Sequence, residues 1–223
     1  MKIEIIHSAR KTVSLRIIAA NTLLVRAPLH YPHHKIHEFV HAKERWITKA
    51  AVKWGEYSNS GALTHVTFLH RELRFALSHA QHIFIDNDTL WVPQNTDTKK
   101  LIIWMKQQAR ELFEVRLEYW SSHMKLPFHS WRLKENSTNW GSCSTRKNIN
   151  LNWRLVQCDL NIIDYVIIHE LAHLARMDHT PAFWSIVASH DADYAEHRAW
   201  LRTHSPALHQ LKNTSTLDIL RRT

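Results

Sequence analysis

The pattern of apolar and polar positions begins with short β-like segments and one helix. Polar and apolar residues alternate over residues 12–17 and 22–25, which predicts a hairpin that turns near Asn21. After Pro32 the apolar residues recur at helical spacing, and Gly55 is a plausible stop signal for that helix. Further β-like runs cover residues 66–69, 73–77, 82–85 and 90–92.

A long amphipathic helix and a second β-like region follow. Helical periodicity extends from Thr98 to about Ser122, and Pro127 lies beyond its end. The buried candidates on this helix include Leu101, Met105, Ala109, Leu112 and Tyr119. Residues 130–156 return to a β pattern, which turn-forming residues at 139–142 interrupt.

Helix signals dominate the remaining sequence. Asp159 or Asn161 can cap a helix that runs to about Arg176. Thr180 followed by Pro181 is a typical cap and first-turn pair, and it predicts a second helix. A third helical stretch covers residues 194–202.

Together these segments predict an α+β fold, in which a β-rich N-terminal half precedes a helix–sheet–helix domain. We assign residues 1–95 to a β-rich region with one helix and residues 96–205 to the C-terminal domain. Residues 206–223 form a tail whose role the sequence does not reveal.

Composition adds a basic balance and an excess of histidine. The 223 residues carry a formal charge of +9, which favours acidic partners and predicts weak nucleic-acid binding, although the charges are scattered. The chain has 19 His but only two cysteines, Cys143 and Cys158, too few for a disulfide framework. The first residues do not resemble a signal peptide, and no apolar stretch is long enough to span a membrane. We therefore expect a soluble, cytoplasmic protein.

The main chemical signal is the pentad HELAH at residues 169–173. His169 and His173 are four residues apart, so a helix places both imidazoles on one face, where they can bind one Zn²⁺. Glu170 lies beside that face, where its carboxylate can take a proton from a metal-bound water. The surrounding residues are largely apolar, and histidines buried there need partners such as a metal.

A third histidine completes a ligand set. His179 follows ten residues after His169, just past the expected helix end, where the chain can turn back toward the metal. The spacing His-x3-His-x5-His is that of the metzincins, but Arg176 replaces their glycine and no downstream methionine is available for a Met-turn. We therefore predict one Zn²⁺ per chain, held by three histidines.

An ordered set of motifs resembles the YgjP-like metal-dependent hydrolases, which are related to the WLM and SprT-type zincins. The motifs are WGSCS at 140–144, NLNWRL at 150–155, DYV at 164–166, HELAHL at 169–174 and H-x-P-x-F-W at 179–184. The resemblance covers roughly Arg10 to Leu201. It implies a compact zincin-like domain, with His169, His173 and His179 as metal ligands and Glu170 as catalyst.

Substrate-binding candidates lie on either side of the ligand set. An edge strand beside the active-site helix pairs with extended substrates in zincins, and Trp140 and Gly141 are the expected neighbours here. The resembling family usually has a basic residue where this chain has Asn139. Tyr194, His197 and Arg198 are candidate donors to a developing oxyanion.

Three functions fit this sequence. The first is a zinc-dependent metallopeptidase that uses a water activated by Glu170. The second uses the same zinc chemistry on a nucleotide phosphoanhydride, because zinc-activated water is not specific for peptides and the basic charge suits a polyanion. The third is a nucleic-acid-associated module with a structural zinc site, although a structural site normally has four protein ligands.

Overall fold

The computed structural model describes residues 1–19, 22–49, 65–209 and 211 of the chain. Its strands are β1 (Lys2–Ser8), β2 (Ser14–Ala19), β3 (Thr22–Pro28), β4 (His65–Phe68), β5 (Arg71–Ser78), β6 (Phe84–Asp86), β7 (Thr89–Pro93), β8 (Ser130–Lys134), β9 (Gly141–Cys143) and β10 (Asn148–Asn152). Its helices are α1 (His33–Ala42), α2 (Thr98–Met124), α3 (Leu160–Ala172), α4 (Pro181–His190) and α5 (Tyr194–Leu208), with a 3-10 helix at Trp153–Gln157.

The chain divides into two compact units, Met1–Gly61 and Ala62–Thr223. In the first unit β3 is the central strand, parallel to β1 and antiparallel to β2. The predicted β2–β3 hairpin is therefore present, whereas its turn at Asn21 lies outside the described residues. The small apolar core consists of Ile17, Leu23, Val25, Ala27, Ile36 and Ile47. The predicted helix after Pro32 begins as α1 and continues as helical backbone at 44–49, and its predicted end at Gly55 is outside the described residues.

The second unit combines two mixed sheets with the longer helices. One sheet has the strand order β4-β5-β7-β6 and the other has the order β8-β10-β9. In the second sheet β10 lies between a parallel partner, β8, and an antiparallel partner, β9. This mixture of helices and small sheets confirms the α+β fold class.

The β4–β5 hairpin joins the first of these sheets to the 3-10 helix. Leu69 and His70 at its tip have positive φ angles of 48° and 61°. Their backbone N–H groups donate to the carbonyl oxygens of Val156 and Gln157, at 2.8 and 3.1 Å. Strands β4 to β7, which the sequence places in an N-terminal region ending at residue 95, consequently share their core with α2 and α3.

Helix α2 has 27 residues and packs against α3. The Asp97 side chain caps its start by accepting from the N–H of Lys100 at 2.7 Å. Its buried face is the row Leu101, Met105, Ala109, Phe113 and Leu117. The prediction that Tyr119 is buried was wrong, since half of this residue is exposed. Among the described residues, no helix combines the length and apolarity that crossing a membrane requires.

Helix α3 is buried along most of its length, and side-chain contacts fix both its start and its position. Asp159 caps it through its carboxylate, which accepts from the N–H of Asn161 at 2.9 Å. Arg116 of α2 donates from Nε to Asp164 Oδ1 at 2.7 Å and from a second nitrogen to Oδ2. Because both side chains are mostly buried, this two-point ion pair sets the position of α3 against α2.

Candidate metal centre

Helix α3 and the loop after it supply the three predicted ligands. His169 lies in the last turn of α3, His173 caps its C-terminus, and His179 stands in the loop before α4. His173 Nδ1 lies 3.0 Å from the carbonyl oxygen of Arg176. Since a carbonyl can only accept, Nδ1 carries the proton and Nε2 is left free for a metal.

The donor atoms of the three histidines lie within 4.8 Å of one another. His169 Nε2 and His179 Nε2 are 3.2 Å apart, and two neutral nitrogens at that distance require a shared proton or a shared cation. Two nitrogens that bind one tetrahedral zinc at 2.0–2.1 Å are about 3.3 Å apart. The observed pair therefore fits a zinc ion.

Burial favours the neutral form of the His169 and His173 imidazoles, which is the form that metal binding requires. Desolvation lowers the pKa of His169 to about 3, and repulsion from His173, His179 and Arg198 contributes. Burial also lowers the pKa of His173, against a smaller opposing effect of the Arg176 carbonyl. Buried polar rings are costly to hold without partners, and coordination of a cation offsets that cost.

Aromatic rings of α4 form the wall behind the ligands. The Phe183 ring centroid is 5.0, 4.5 and 4.8 Å from those of His169, His173 and His179. The Trp184 centroid is 5.6 Å from His169 and 5.7 Å from His179. These contacts restrict the imidazole orientations and keep water away from one side of the site.

Glu170 follows His169 on α3, and its buried side chain lies next to the start of strand β9. Burial raises the pKa of its carboxyl to about 8 in the metal-free protein. A Cβ atom added at Gly141 would come within 2.5 Å of Glu170 Oε1 and 2.7 Å of its Cγ. Position 141 therefore requires glycine, because any side chain there would overlap Glu170. The prediction that Gly141 belongs to a turn was wrong, because it begins β9 and its φ is not positive.

The other sequence candidates occupy different positions around the site. The carbonyl groups of Asn139 and Trp140 both accept hydrogen bonds from Asn152, at 3.3 and 2.8 Å, which ties this segment to β10. The Trp140 ring lies 5.0 Å from that of His209. Tyr194 stacks on Trp184 at 5.3 Å, so it contacts the aromatic wall.

Additional polar groups lie near His169. Tyr165 is one turn earlier on α3, and its ring centroid is 5.9 Å from that of His169. Burial raises the pKa of the Tyr165 phenol to about 12. On its other side Tyr165 is 6.3 Å from His197, whose Nδ1 lies 2.8 Å from Asp191 Oδ2. The four-residue spacing from Tyr165 to His169 is a sequence signal that identifies this neighbour, whereas no local pattern connects Asp191 with His197.

The donor set suits a zinc ion that participates in a reaction. Three imidazoles are typical of catalytic zinc, which keeps a fourth position for water or substrate. Among the described residues, the cluster contains only these three donors, and Glu196, a carboxylate on the later helix α5, is not part of it.

Two crystal structures of metallopeptidase zymogens resemble part of the chain, abylysin of Pyrococcus abyssi and jannalysin of Methanocaldococcus jannaschii. Their identities are 22% and 18% and their TM-scores 0.37 and 0.35, over 40% of this chain and 91% and 95% of theirs. The comparison with curated proteins gives no match. The YgjP-like metallopeptidase domain matches residues 11–204, which include the whole metal centre. The chain therefore belongs to the YgjP-like metallopeptidase family.

Proposed function

We propose that this protein is a zinc-dependent peptidase in which His169, His173 and His179 hold one zinc ion and Glu170 is the general base. The observation that carries the proposal is the histidine cluster itself, with two Nε2 atoms 3.2 Å apart beside a buried carboxyl group. Zinc bound there supplies a Lewis acid and lowers the pKa of a water molecule in its open position.

Glu170 has the position and environment of a proton acceptor. Its neighbour in sequence is a ligand, so its carboxyl group lies at the metal site without belonging to the donor cluster. Within the described residues no side chain donates a hydrogen bond to this carboxylate, which leaves it available to a water molecule. The raised pKa also lets the group hold the proton and deliver it to a departing amine.

Strand β9 is the proposed site for the peptide backbone. It is an outer strand of its sheet, and its first residue, Gly141, touches Glu170. An extended peptide can add to such an edge through backbone hydrogen bonds, which would bring a scissile bond close to the carboxylate. Trp140 and Asn139 support this edge through their bonds to Asn152.

A peptidase also needs a hydrogen-bond donor to the oxyanion that develops on the substrate carbonyl. Tyr194, His197 and Arg198 are the candidates on α5. The Asp191 carboxylate accepts from His197 Nδ1, which leaves His197 Nε2 as the free ring nitrogen. Of these candidates we favour His197, because the adjacent Asp191 carboxylate orients its ring.

A turnover assay tests the proposal. Zinc-loaded protein is incubated with a peptide pool and with a pool of nucleoside triphosphates, and Glu170→Gln protein is the matched control. We expect peptide cleavage that falls by about 100- to 10,000-fold in the Gln variant, because its amide cannot accept a proton. Nucleotide hydrolysis that depends on Glu170, without any peptide cleavage, would favour the phosphoanhydride function. Zinc retention without turnover of either pool would favour a structural site.

A further inference from the structure

The guanidinium of Arg198 lies over the indole of Trp184, which also contacts two of the proposed metal ligands. The indole ring contacts His169 and His179, with centroid distances of 5.6 and 5.7 Å. The guanidinium carbon of Arg198 lies 4.8 Å from the centroid of the same indole. One aromatic side chain thus connects an arginine to two metal ligands.

Arg198 has no anionic partner among the residues that the structure describes. No described carboxylate lies within 4.0 Å of its guanidinium, and no described group accepts a hydrogen bond from it. Asp191 is occupied by His197 at 2.8 Å, and Asp178 accepts from Thr180 at 3.1 Å. The Arg198 side chain is exposed, so its nitrogens are available to a molecule from solution.

Arg198 is one aromatic ring away from the metal centre, because the Trp184 indole that its guanidinium covers also contacts His169 and His179. A cation next to a zinc site opposes the binding of the dication, and no described acid neutralises it. An anionic group on a ligand would offset this repulsion, because it would be attracted to both the guanidinium and the metal ion.

We propose that Arg198 binds a carboxylate group of the substrate, so that peptides with a carboxylate close to the scissile bond are preferred. This inference rests on the proposed peptidase function. The planar guanidinium matches a carboxylate with two parallel hydrogen bonds, and stacking on Trp184 fixes its plane in advance. Tyr194, one turn earlier on α5, stacks on the same indole and restricts it further. The carboxylate is either a free peptide C-terminus or an acidic side chain.

Three peptides that share one uncharged parent sequence distinguish a C-terminal carboxylate from an acidic side chain. The first has a free C-terminal carboxylate, the second a C-terminal amide, and the third a C-terminal amide with one glutamate next to the cleaved bond. Values of kcat/KM are measured for zinc-loaded wild type, Arg198→Gln and Arg202→Gln. Arg202 is an exposed arginine one turn further along α5 and serves as the matched control. Binding of the three peptides to Glu170→Gln protein, with and without Arg198→Gln, is measured by fluorescence anisotropy.

We expect wild type and Arg202→Gln to prefer at least one carboxylate peptide over the neutral amide. Arg198→Gln should lower kcat/KM for that peptide by about 10- to 100-fold more than it lowers kcat/KM for the neutral amide, a ratio in the range of a charge-assisted hydrogen bond. Equal rates on all three peptides in wild type, or a preference that survives in Arg198→Gln, would overturn the inference. If no peptide is cleaved but Arg198-dependent binding of a carboxylate peptide persists, the proposed peptidase function fails, and Arg198 is retained as a carboxylate-binding residue only. Absence of that binding as well would overturn the inference.

Discussion

At the scale of single residues, the site depends on groups that are costly to bury. Glu170 is only 5% exposed and His173 only 9%, yet both lie in a part of α3 whose other residues are mainly apolar. Both groups lose their hydration when they are buried. A bound metal ion or a proton offsets the free-energy cost of that loss. Residues of this kind determine how the stability of the metal-free protein responds to pH.

Glu170→Gln should stabilise the metal-free protein at high pH. The pKa of Glu170 is raised to about 8 in the fold, from 4.5 as the ordinary value. The folded state therefore binds the proton more tightly than the unfolded state, and stability is lost as the pH rises from about 4.5 to 8. The glutamine variant lacks this loss, so its Tm should exceed that of wild type at pH 9 and match it near pH 4.5.

Thermal unfolding of chelator-treated proteins measures this difference. In a chain of this size, each kcal/mol raises Tm by about 2–4 °C. Glu118→Gln, which changes an exposed glutamate on α2, is the control and should show no pH-dependent gain. Identical Tm values for Glu170→Gln and wild type at pH 9 would contradict the prediction.

His179, rather than Glu196, should be the third zinc ligand. His179 Nε2 is 3.2 Å from His169 Nε2, whereas Glu196 is an exposed residue in the first turn of α5. His179→Ala should weaken zinc binding by more than about 100-fold. This is more than the loss of a residue that only hydrogen-bonds to a metal ligand would cause. Glu196→Ala should leave affinity nearly unchanged. Competition with a chromophoric chelator measures both, and the opposite order would assign the metal to a different ligand set.

At the scale of elements, three segments build the site. Helix α3 and its C-terminus carry two of the proposed ligands and Glu170, the following loop carries His179, and β9 places Gly141 against Glu170. The ion pair between Arg116 and Asp164 anchors α3 to α2. The site thus depends on the register of β9 against β10 as much as on α3.

Gly141→Ala should reduce turnover without removing zinc. The new methyl group would overlap the Glu170 carboxyl group, so that side chain must move away from its position beside the ligands. Displacement of a general base by about 1 Å can cost about 100-fold in rate. Ser142→Ala is the control, because it removes only a hydrogen bond from Asn150 to the Ser142 hydroxyl.

Zinc content and kcat/KM are measured for both variants. Wild-type turnover by Gly141→Ala would show that Glu170 tolerates the displacement, and loss of zinc would assign Gly141 a role in the ligand geometry itself.

Local patterns in the sequence predict the elements better than their pairing. The caps at Asp159 and Thr180-Pro181 correctly predict where α3 and α4 begin, because a capping side chain or an N-terminal proline acts within one turn. The sequence does not predict that β8 pairs with β10 in parallel, or that β9 faces Glu170. These arrangements depend on contacts between segments far apart in the chain, and strand register is set by tertiary packing.

The same limit applies within an element. On α2 the spacing predicts burial of Leu101, Met105 and Ala109, and the row continues through Phe113 and Leu117. Tyr119 lies off this row and is half exposed, although it stacks against His123 at 5.9 Å. Periodicity identifies the central line of a buried face, whereas its width depends on the neighbouring helix. For the site, the spacing of three histidines was a sufficient local signal, but the position of Arg198 on Trp184 was not.

At the scale of the whole molecule, the formal charge of +9 is spread along the chain rather than concentrated in one block. Several basic residues are already engaged: Lys106 and Arg154 both bond to Glu135, and Arg71 bonds to Asp88. At physiological salt the screening length is about 8 Å, so scattered surface charges contribute little at the metal centre. We therefore propose only weak, salt-sensitive binding of nucleic acid.

Salt titration should separate the general charge from the chemistry of the site. For a peptide without charged groups, KM should hardly change between low and physiological salt, because no counterions are released when it binds. For a short DNA duplex, apparent affinity should fall with a log–log slope of several units, as expected when lysines and arginines replace counterions on phosphates. Peptide cleavage at both salt concentrations and anisotropy of the labelled duplex provide the two measurements. A KM for the uncharged peptide that rises as steeply as the duplex affinity falls would mean that the basic surface itself positions the substrate, and the site residues alone would then not account for recognition.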